Sequence, residues 1–324
     1  MKIADETESL ATRVYANRDL SIVDFPTIIK TAVGITRGES LLDIGCGFGH
    51  ILGELGSMND GAPAFGVDVN VESIEQARRT FLEKRLTNIE VDVQDATNLK
   101  IVIGGKEITS DFFNVVLSTS AFYNIGRHED AYEVEPAHRE AIQRAIREVA
   151  RLLKPEGRFV LNSPTVRNTE DLTALSIAAG ADRGPAIAQI QIPERVTASA
   201  LIPCLLEAFP GTQIIHVRNP VEYRDEHADT FLRYFLASDF WTNDAILSKG
   251  VSKSTYLANV IKLVAEAIAR DGAFVVNKDY VICIACENAM TAGASVAEVL
   301  KRYGKYAQRI GPADVVNIGE GVAI

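Results

Sequence analysis

The chain has 324 residues, 47% apolar and 23% charged, enough to bury a large core, and this balance excludes disordered and fibrous classes. Its formal charge of -10, from 33 basic and 43 acidic side chains, offers no general field for a nucleic-acid backbone. Its apolar runs fall far short of the roughly 20 residues that span a bilayer, the start MKIADETESL is too acidic for a signal peptide, and four cysteines make no disulfide framework, so a soluble cytoplasmic protein is expected.

Short β-branched runs alternate with helical stretches, the pattern of a parallel sheet covered by helices on both faces. Seven strands are predicted: Ser40 to Ile44, Ala64 to Val67, Ile89 to Val93, Phe113 to Leu117, Arg158 to Asn162, Gln213 to Asn219 and Asp279 to Ala285. Between the second and third, Ile74, Ala77, Phe81 and Leu82 recur at helical spacing; before the fifth, Ile142, Ala145, Ile146, Val149 and Leu153 do the same. Pro155 stops that second helix and Gly157 turns the chain into the next strand. Two stretches, 166–211 and 223–271, are longer than a crossover needs and read as helical additions over one end of the sheet. The expected organisation is therefore one α/β domain over 1–290, Rossmann-like and mostly parallel, followed by a tail, 291–324, with a helix from Ala294 to Tyr306.

The sharpest local signal is LLDIGCGFGH at 41–50: a strand, an acid near its end, and Gly45, Gly47 and Gly49 before a helix. Glycines so spaced allow a tight turn and a close approach to a ligand at the carboxyl edge of a parallel sheet. A dinucleotide fingerprint starting at Gly45 needs a third glycine at 50, where His50 stands, and Asp43 suits a cation better than a pyrophosphate. Asp68 ends the second strand, where it could also cap the helix that follows. Cys283 and Cys286 have the spacing of a metal pair, but residues three apart in a strand face opposite sides, so they read as buried thiols.

Asp43 with Gly45, Gly47 and Gly49 resembles the first motif of the class I S-adenosylmethionine-dependent methyltransferases. Asp68 in GVDVN looks like that family's ribose-binding acid, and Gln94, Asp95 and Ala96 are similar to its adenine-edge element. The segments 113–125 and 151–157 resemble the fourth strand with its following motif and the approach to the fifth. This resemblance implies S-adenosyl-L-methionine as cofactor, held by Asp43, Gly45, Cys46, Gly47, Gly49, Asp68, Val69, Asp95, Ala96 and Ser118. It also implies an antiparallel final strand.

In-line methyl transfer asks chiefly for alignment and water exclusion, with a base only if the nucleophile must lose a proton. Tyr123 and His128, after the fourth strand, are the candidates for a catalytic role. Family members often carry His where Asn124 stands, so a base at 124 is not implied. His50 reads as a capping or packing residue. Tyr123, Asn124, Tyr234 and Trp241 are the expected acceptor contacts, the last two from a segment that places Phe231, Leu232, Phe235 and Leu236 on one helical face. A small-molecule acceptor is expected, without nucleic acid, membrane or metal, and a homo-oligomer is left open. The competing readings are a non-catalytic cofactor-binding protein and, using the same fold, aminopropyl transfer.

Overall fold

The computed structural model describes residues 19–126, 136–165, 167–168, 170–190, 197–236 and 244–318. Two of the expected site residues, His128 and Trp241, lie outside that set.

A single eight-stranded sheet organises the chain. Its strands are β1 (Leu41–Ile44), β2 (Ala64–Asp68), β3 (Ile89–Val93), β6 (Phe113–Thr119), β7 (Leu153–Pro164), β8 (Gln213–Tyr223), β9 (Phe274–Ala285) and β10 (Ala307–Ile310). The order is β10-β8-β9-β7-β6-β1-β2-β3. The run from β3 to β7 is parallel, and β9 runs antiparallel to both β7 and β8. The antiparallel strand implied by the resemblance is thus β9.

Three differences from the predicted elements have plain causes. The count is eight rather than seven because β10, in the tail, pairs with the outer edge of β8 through residues too polar and too few to read as a strand. A small ribbon, β4 (Ile101–Ile103) with β5 (Lys106–Ile108), turns on Gly104 and Gly105 outside the main sheet. Pro155 and Gly157 fall inside an irregular start of β7, where the register against β6 jumps, rather than in a turn before it.

Helices cover both faces. Pro136–Leu152 lays Ile142, Ala145, Ile146, Val149 and Leu152 onto one face, joined by Ile202–Ala208. Phe25–Val33, His50–Met58, Val71–Glu83 and Ala289–Tyr303 cover the other. Each large aliphatic side chain so buried contributes about 1.5–3 kcal/mol. Leu82, expected on the buried face of Val71–Glu83, is instead exposed, because that face is set by Ile74, Ala77 and Phe81. Cys283 packs into one core and Cys286 into the other, as strand alternation requires, and burial pushes the Cys283 thiol up to about 12.

The helical additions share a third core. Glu170–Ala179, Ala228–Leu236 and Lys253–Asp271 contribute Leu172, Leu175, Phe231, Phe235, Tyr256 and Val260, which pack with Tyr223 and Val276 at the far ends of β8 and β9. Those strand ends outrun β7. The last ladder pair between β7 and β9 is Pro164 with Tyr280, while β8 and β9 stay paired as far as Tyr223 and Phe274. The pair thus forms a two-stranded arm past the carboxyl end of β7, and the helical roof is built on it. Tyr256 hydrogen-bonds Ser176 at 2.9 Å between two helices of the roof, and Asp171 accepts from the backbone and side chain of Asn277 at 2.7 and 3.0 Å, tying roof to arm. The expected helical face keeps Phe231 and Phe235 buried, but Leu236 is exposed.

At the opposite end of the sheet, buried Arg158 grips Glu39 through two bonds of 2.8 and 2.9 Å and donates to the carbonyls of Val33 and Gly34, closing the C-terminus of Phe25–Val33. Burial pushes the Glu39 carboxyl up, but the Arg158 guanidinium and the amide of Thr36 pull it down further, leaving it below its ordinary value. Its stabilisation is therefore complete above the usual carboxylate range and is lost as pH falls through the lowered pKa. Denaturant titration should find Glu39→Gln less stable than the natural chain by about 3 kcal/mol at pH 7, since it leaves a buried guanidinium without its charge partner. The gap should close at pH values low enough to protonate Glu39.

Candidate active site

The turn from β1 into His50–Met58 runs through three left-handed positions, Gly45, Gly47 and Gly49, with φ of 73°, 52° and 70°. Its path is pinned from below: the amides of Gly45 and Cys46 both donate to the carbonyl of Val67, at 2.8 and 3.0 Å. The glycines are not equivalent. A Cβ on Gly45 would stand 2.3 Å from Ala121, and one on Gly49 would stand 2.3 Å from the ring of Phe81, so both are required by packing. A Cβ on Gly47 would meet no atom within 4 Å. Gly47 alone of the three faces open space, so its lack of a side chain leaves room rather than relieving a clash.

Cys46 is buried, and its sulfur packs in the space that Gly66 leaves free in β2. Burial, with Asp43 and Asp68 adding to it, pushes the thiol well up, so it is an inert filler. His50 opens the helix and stands 3.4 Å from Glu54, one turn along.

Asp43 is 1% exposed, and its Oδ1 has no hydrogen-bond partner among the described residues. Burial, with the nearby Asp68 charge adding to it, pushes this carboxyl up to about 8. A buried carboxylate left without a partner is costly, so the position waits for a donor or cation. Ser118, at the same end of β6, donates to the carbonyl of Ile44 at 2.8 Å and ties β6 to β1.

Asp68 is held by two backbone amides, Gly47 to Oδ2 and Asn70 to Oδ1, each at 2.9 Å. The helix that follows is capped by Asn70, whose side chain accepts from Ser73 at 2.8 Å; Asp68 is therefore not the cap. Val69 beside it is 70% exposed. After β3, Asp95 accepts from the amide of Thr97 at 2.8 Å, and Ala96 is buried behind it. Gln94 closes this loop by bonding Lys100 in both directions. The structure thus gathers Asp43, Gly45, Cys46, Gly47, Gly49, Asp68, Val69, Asp95, Ala96 and Ser118 at the carboxyl ends of β1, β2, β3 and β6.

Beyond β6 the chain makes a 3-10 turn, Phe122–Asn124, with Phe122 buried, Tyr123 half-buried and Asn124 exposed. Ser120 enters the turn at φ 54°, a conformation that costs a non-glycine residue about 1–2 kcal/mol. Asn162 of β7, wholly buried, holds it there, accepting from its amide and donating to its hydroxyl, both at 3.1 Å. This clamp was missed from sequence; the Asn in the apolar run of β7 is its one trace. Tyr234 sits on the roof and is hydrogen-bonded by Lys278 of β9. Lys278, also missed, is betrayed only by the polar break NKD in an otherwise apolar strand.

A model of the methyltransferase domain matches residues 35–198, half of the chain, and the chain belongs to that family. Its cofactor is S-adenosylmethionine, and the open Gly47 cradle, the donor-hungry Asp43 and the amide-held Asp68 fit such a group. An uncharacterized 37.1 kDa protein of transposon TN4556 from Streptomyces fradiae is 29% identical over 141 residues, 43% of this chain and 34% of that one. The chain thus spans about a third of the length of the curated relative it matches. Among solved structures, similarity extends to a SAM dependent methyltransferase from Aquifex aeolicus (TM-score 0.39, 17% identity, 51% of this chain and 75% of that one). The [4+2]-cyclase SpnF gives 0.46 and 18%, over 81% and 80% of the two chains. Geranyl diphosphate C-methyltransferase from Streptomyces coelicolor A3(2) gives 0.43 and 13%, over 80% and 77%.

The raised Asp43 carboxyl carries a stability signature. A group that folds more readily protonated gives its full stability below its unfolded pKa and loses it as pH rises toward the folded one. The ligand-free protein should therefore lose stability between about pH 4 and pH 8, and Asp43→Asn should not share that loss. Denaturant titrations across this range would measure it; parallel curves for the two proteins would contradict the assignment.

Proposed function

We propose that this chain transfers the methyl group of S-adenosylmethionine to a small-molecule acceptor held between the carboxyl edge of the sheet and the helical roof. The observation that carries the reading is the arm of β8 and β9, which places a separately packed roof at the end of the sheet where the glycine turn, Asp43 and Asp68 lie. Folds of this type bind ligands at that edge.

The cofactor supplies a methyl carbon already activated by positive sulfur. The residues do the rest by holding and excluding. Asp68, oriented by the amides of Gly47 and Asn70, keeps lone pairs for the ribose hydroxyls. Asp43 answers the ammonium of the amino-acid tail, gaining the partner that it lacks. Asp95 and Ala96 meet the adenine edge, Gly45, Gly47 and Gly49 shape the cradle, and Cys46, Val69 and Ser118 complete its walls. Tyr123 and Asn124 contact the acceptor from the turn after β6 and Tyr234 from the roof, with Trp241, outside the described residues, assigned to the acceptor from sequence alone. Tyr123 and, from sequence alone, His128 are the candidates to take a proton if the acceptor must lose one. No metal is assigned a part.

Asp68→Ala should weaken S-adenosylmethionine binding ten- to a hundredfold, the loss of charge-assisted hydrogen bonds of about 1.5–3 kcal/mol. Gly47→Val should abolish binding by filling the open cradle, and its strain at φ 52° should lower stability as well, so affinity is read on the folded fraction. Calorimetry on folded variants would check both, and unchanged affinity would remove the cofactor assignments.

Transfer itself is tested by incubating the protein with labelled S-adenosylmethionine and a metabolite extract and following which mass gains a methyl group. A labelled small molecule is expected, formed equally well in the presence of a chelator. Cofactor binding without turnover across broad extracts would favour a regulatory protein, and loss of turnover with a chelator would overturn the metal-free reading.

A further inference from the structure

Where the arm leaves the sheet, an apolar wall is interrupted by one cation. Val276, Lys278 and Tyr280 lie along one face of β9, opposite Val221, Asn219 and Val217 of β8. Val276 and Val221 belong to the core of the roof, Tyr280 and Val217 to a core of the sheet, and Lys278 sits on the seam between the two. It is 5% exposed and makes no ion pair among the described residues. Its Nζ donates to the hydroxyl of Tyr234 and lies 4.6 Å from the centre of that ring.

A ring face attracts an ammonium ion, but less strongly than burial penalises it, so this contact leaves the lysine short of a counter-charge among the described residues. Among the described residues, two neighbouring phenols add further protons to give. Tyr223 is wholly buried, its ring 6.2 Å from that of Tyr234, and its hydroxyl has no partner among the described residues. Burial pushes the Tyr223 phenol up, and Tyr234 and Tyr280 add to this, so it stays protonated and able to donate. Tyr234 accepts from Lys278 and keeps its own proton to give. One cation and two hydroxyl donors therefore meet where sheet and roof meet. An ordinary packed seam has no use for unmatched donors, whereas an anion bearing several acceptor oxygens satisfies all of them.

We propose that Lys278, Tyr234 and Tyr223 form an anion subsite that takes the carboxylate or phosphate of an acceptor whose remaining body is apolar. The inference rests on the reading of the chain as a small-molecule methyltransferase and names the class of molecule it modifies. The apolar wall of Val217, Val221, Val276 and Tyr280 on either side selects an apolar or aryl body, and Lys278 selects its charged end.

The test uses the full chain saturated with S-adenosylhomocysteine, titrated calorimetrically with benzoate, phenyl phosphate and the neutral benzamide. At least one of the two anions should bind, at least tenfold more tightly than benzamide, and which one binds identifies the group. Lys278→Met should remove that preference while S-adenosylhomocysteine affinity stays within twofold. Tyr223→Phe, which deletes the orphan hydroxyl without touching the cation, should weaken the anion severalfold in a protein at least as stable, and so provides the reading should Lys278→Met fail to fold. Failure of both anions to bind, equal affinity for benzamide, or undiminished anion affinity in the variants overturns the proposal. Absence of S-adenosylhomocysteine binding in the same cell, with anion discrimination intact, would instead count against the methyltransferase reading.

Discussion

Everything at the carboxyl edge depends on how tightly the chain between β1 and its helix is threaded. Two amides share the carbonyl of Val67, and the turn then squeezes past Ala121 on one side and Phe81 on the other, with no space for a Cβ at either passage. Only between them, at Gly47, does the backbone face open room. The amide freed there bonds Asp68, so one turn both clears a cavity and orients the carboxylate at its rim. Asp43, one strand position inward, is buried by the same compression. Its orphaned oxygen is a cost of the fold that a bound cation offsets.

A second constraint comes from the length of β8 and β9. A sheet whose strands ended level would leave that edge bare, and helical insertions would have to find their own anchorage. Here the two strands continue, and the aromatic residues of the roof mostly serve to fasten helices to them: Phe231 packs edge-on to Tyr223 and to Phe274. Between roof and sheet the apolar wall is broken by polar groups at the seam around Lys278.

The stretch from Asp43 to Asp95 was readable because its chemistry is written over a few consecutive residues, each at a strand end, and strand ends are marked by the switch from β-branched runs to glycine and acids. Asp68 needed nothing from distant sequence to be placed at a strand end. The clamp between Ser120 and Asn162, 42 residues apart, and the donors around Lys278 were not readable, since neither pattern exists until the sheet has brought separate strands together. The edge strand Ala307–Ile310 escaped notice for another reason: with one face on solvent and only one neighbour, it had no need of the apolar signal that marks inner strands. Leu82 misled in the opposite direction, an apolar residue at helical spacing that the packing leaves outside.

The arm also sets how the roof can move. A lid on a single connecting strand swivels about one or two backbone torsions, but this roof stands on two strands joined by a ladder of hydrogen bonds that runs unbroken from the sheet interior to Tyr223 and Phe274. Such a support is a beam. Its compliance lies in bending and twisting along its whole length, and displacement at the tip is graded rather than switched. Lys278 and Asn219 stand near the fixed end, where a beam moves least, while the helices at the free end sweep furthest. The polar seam at the root is therefore the part of the support whose geometry changes least.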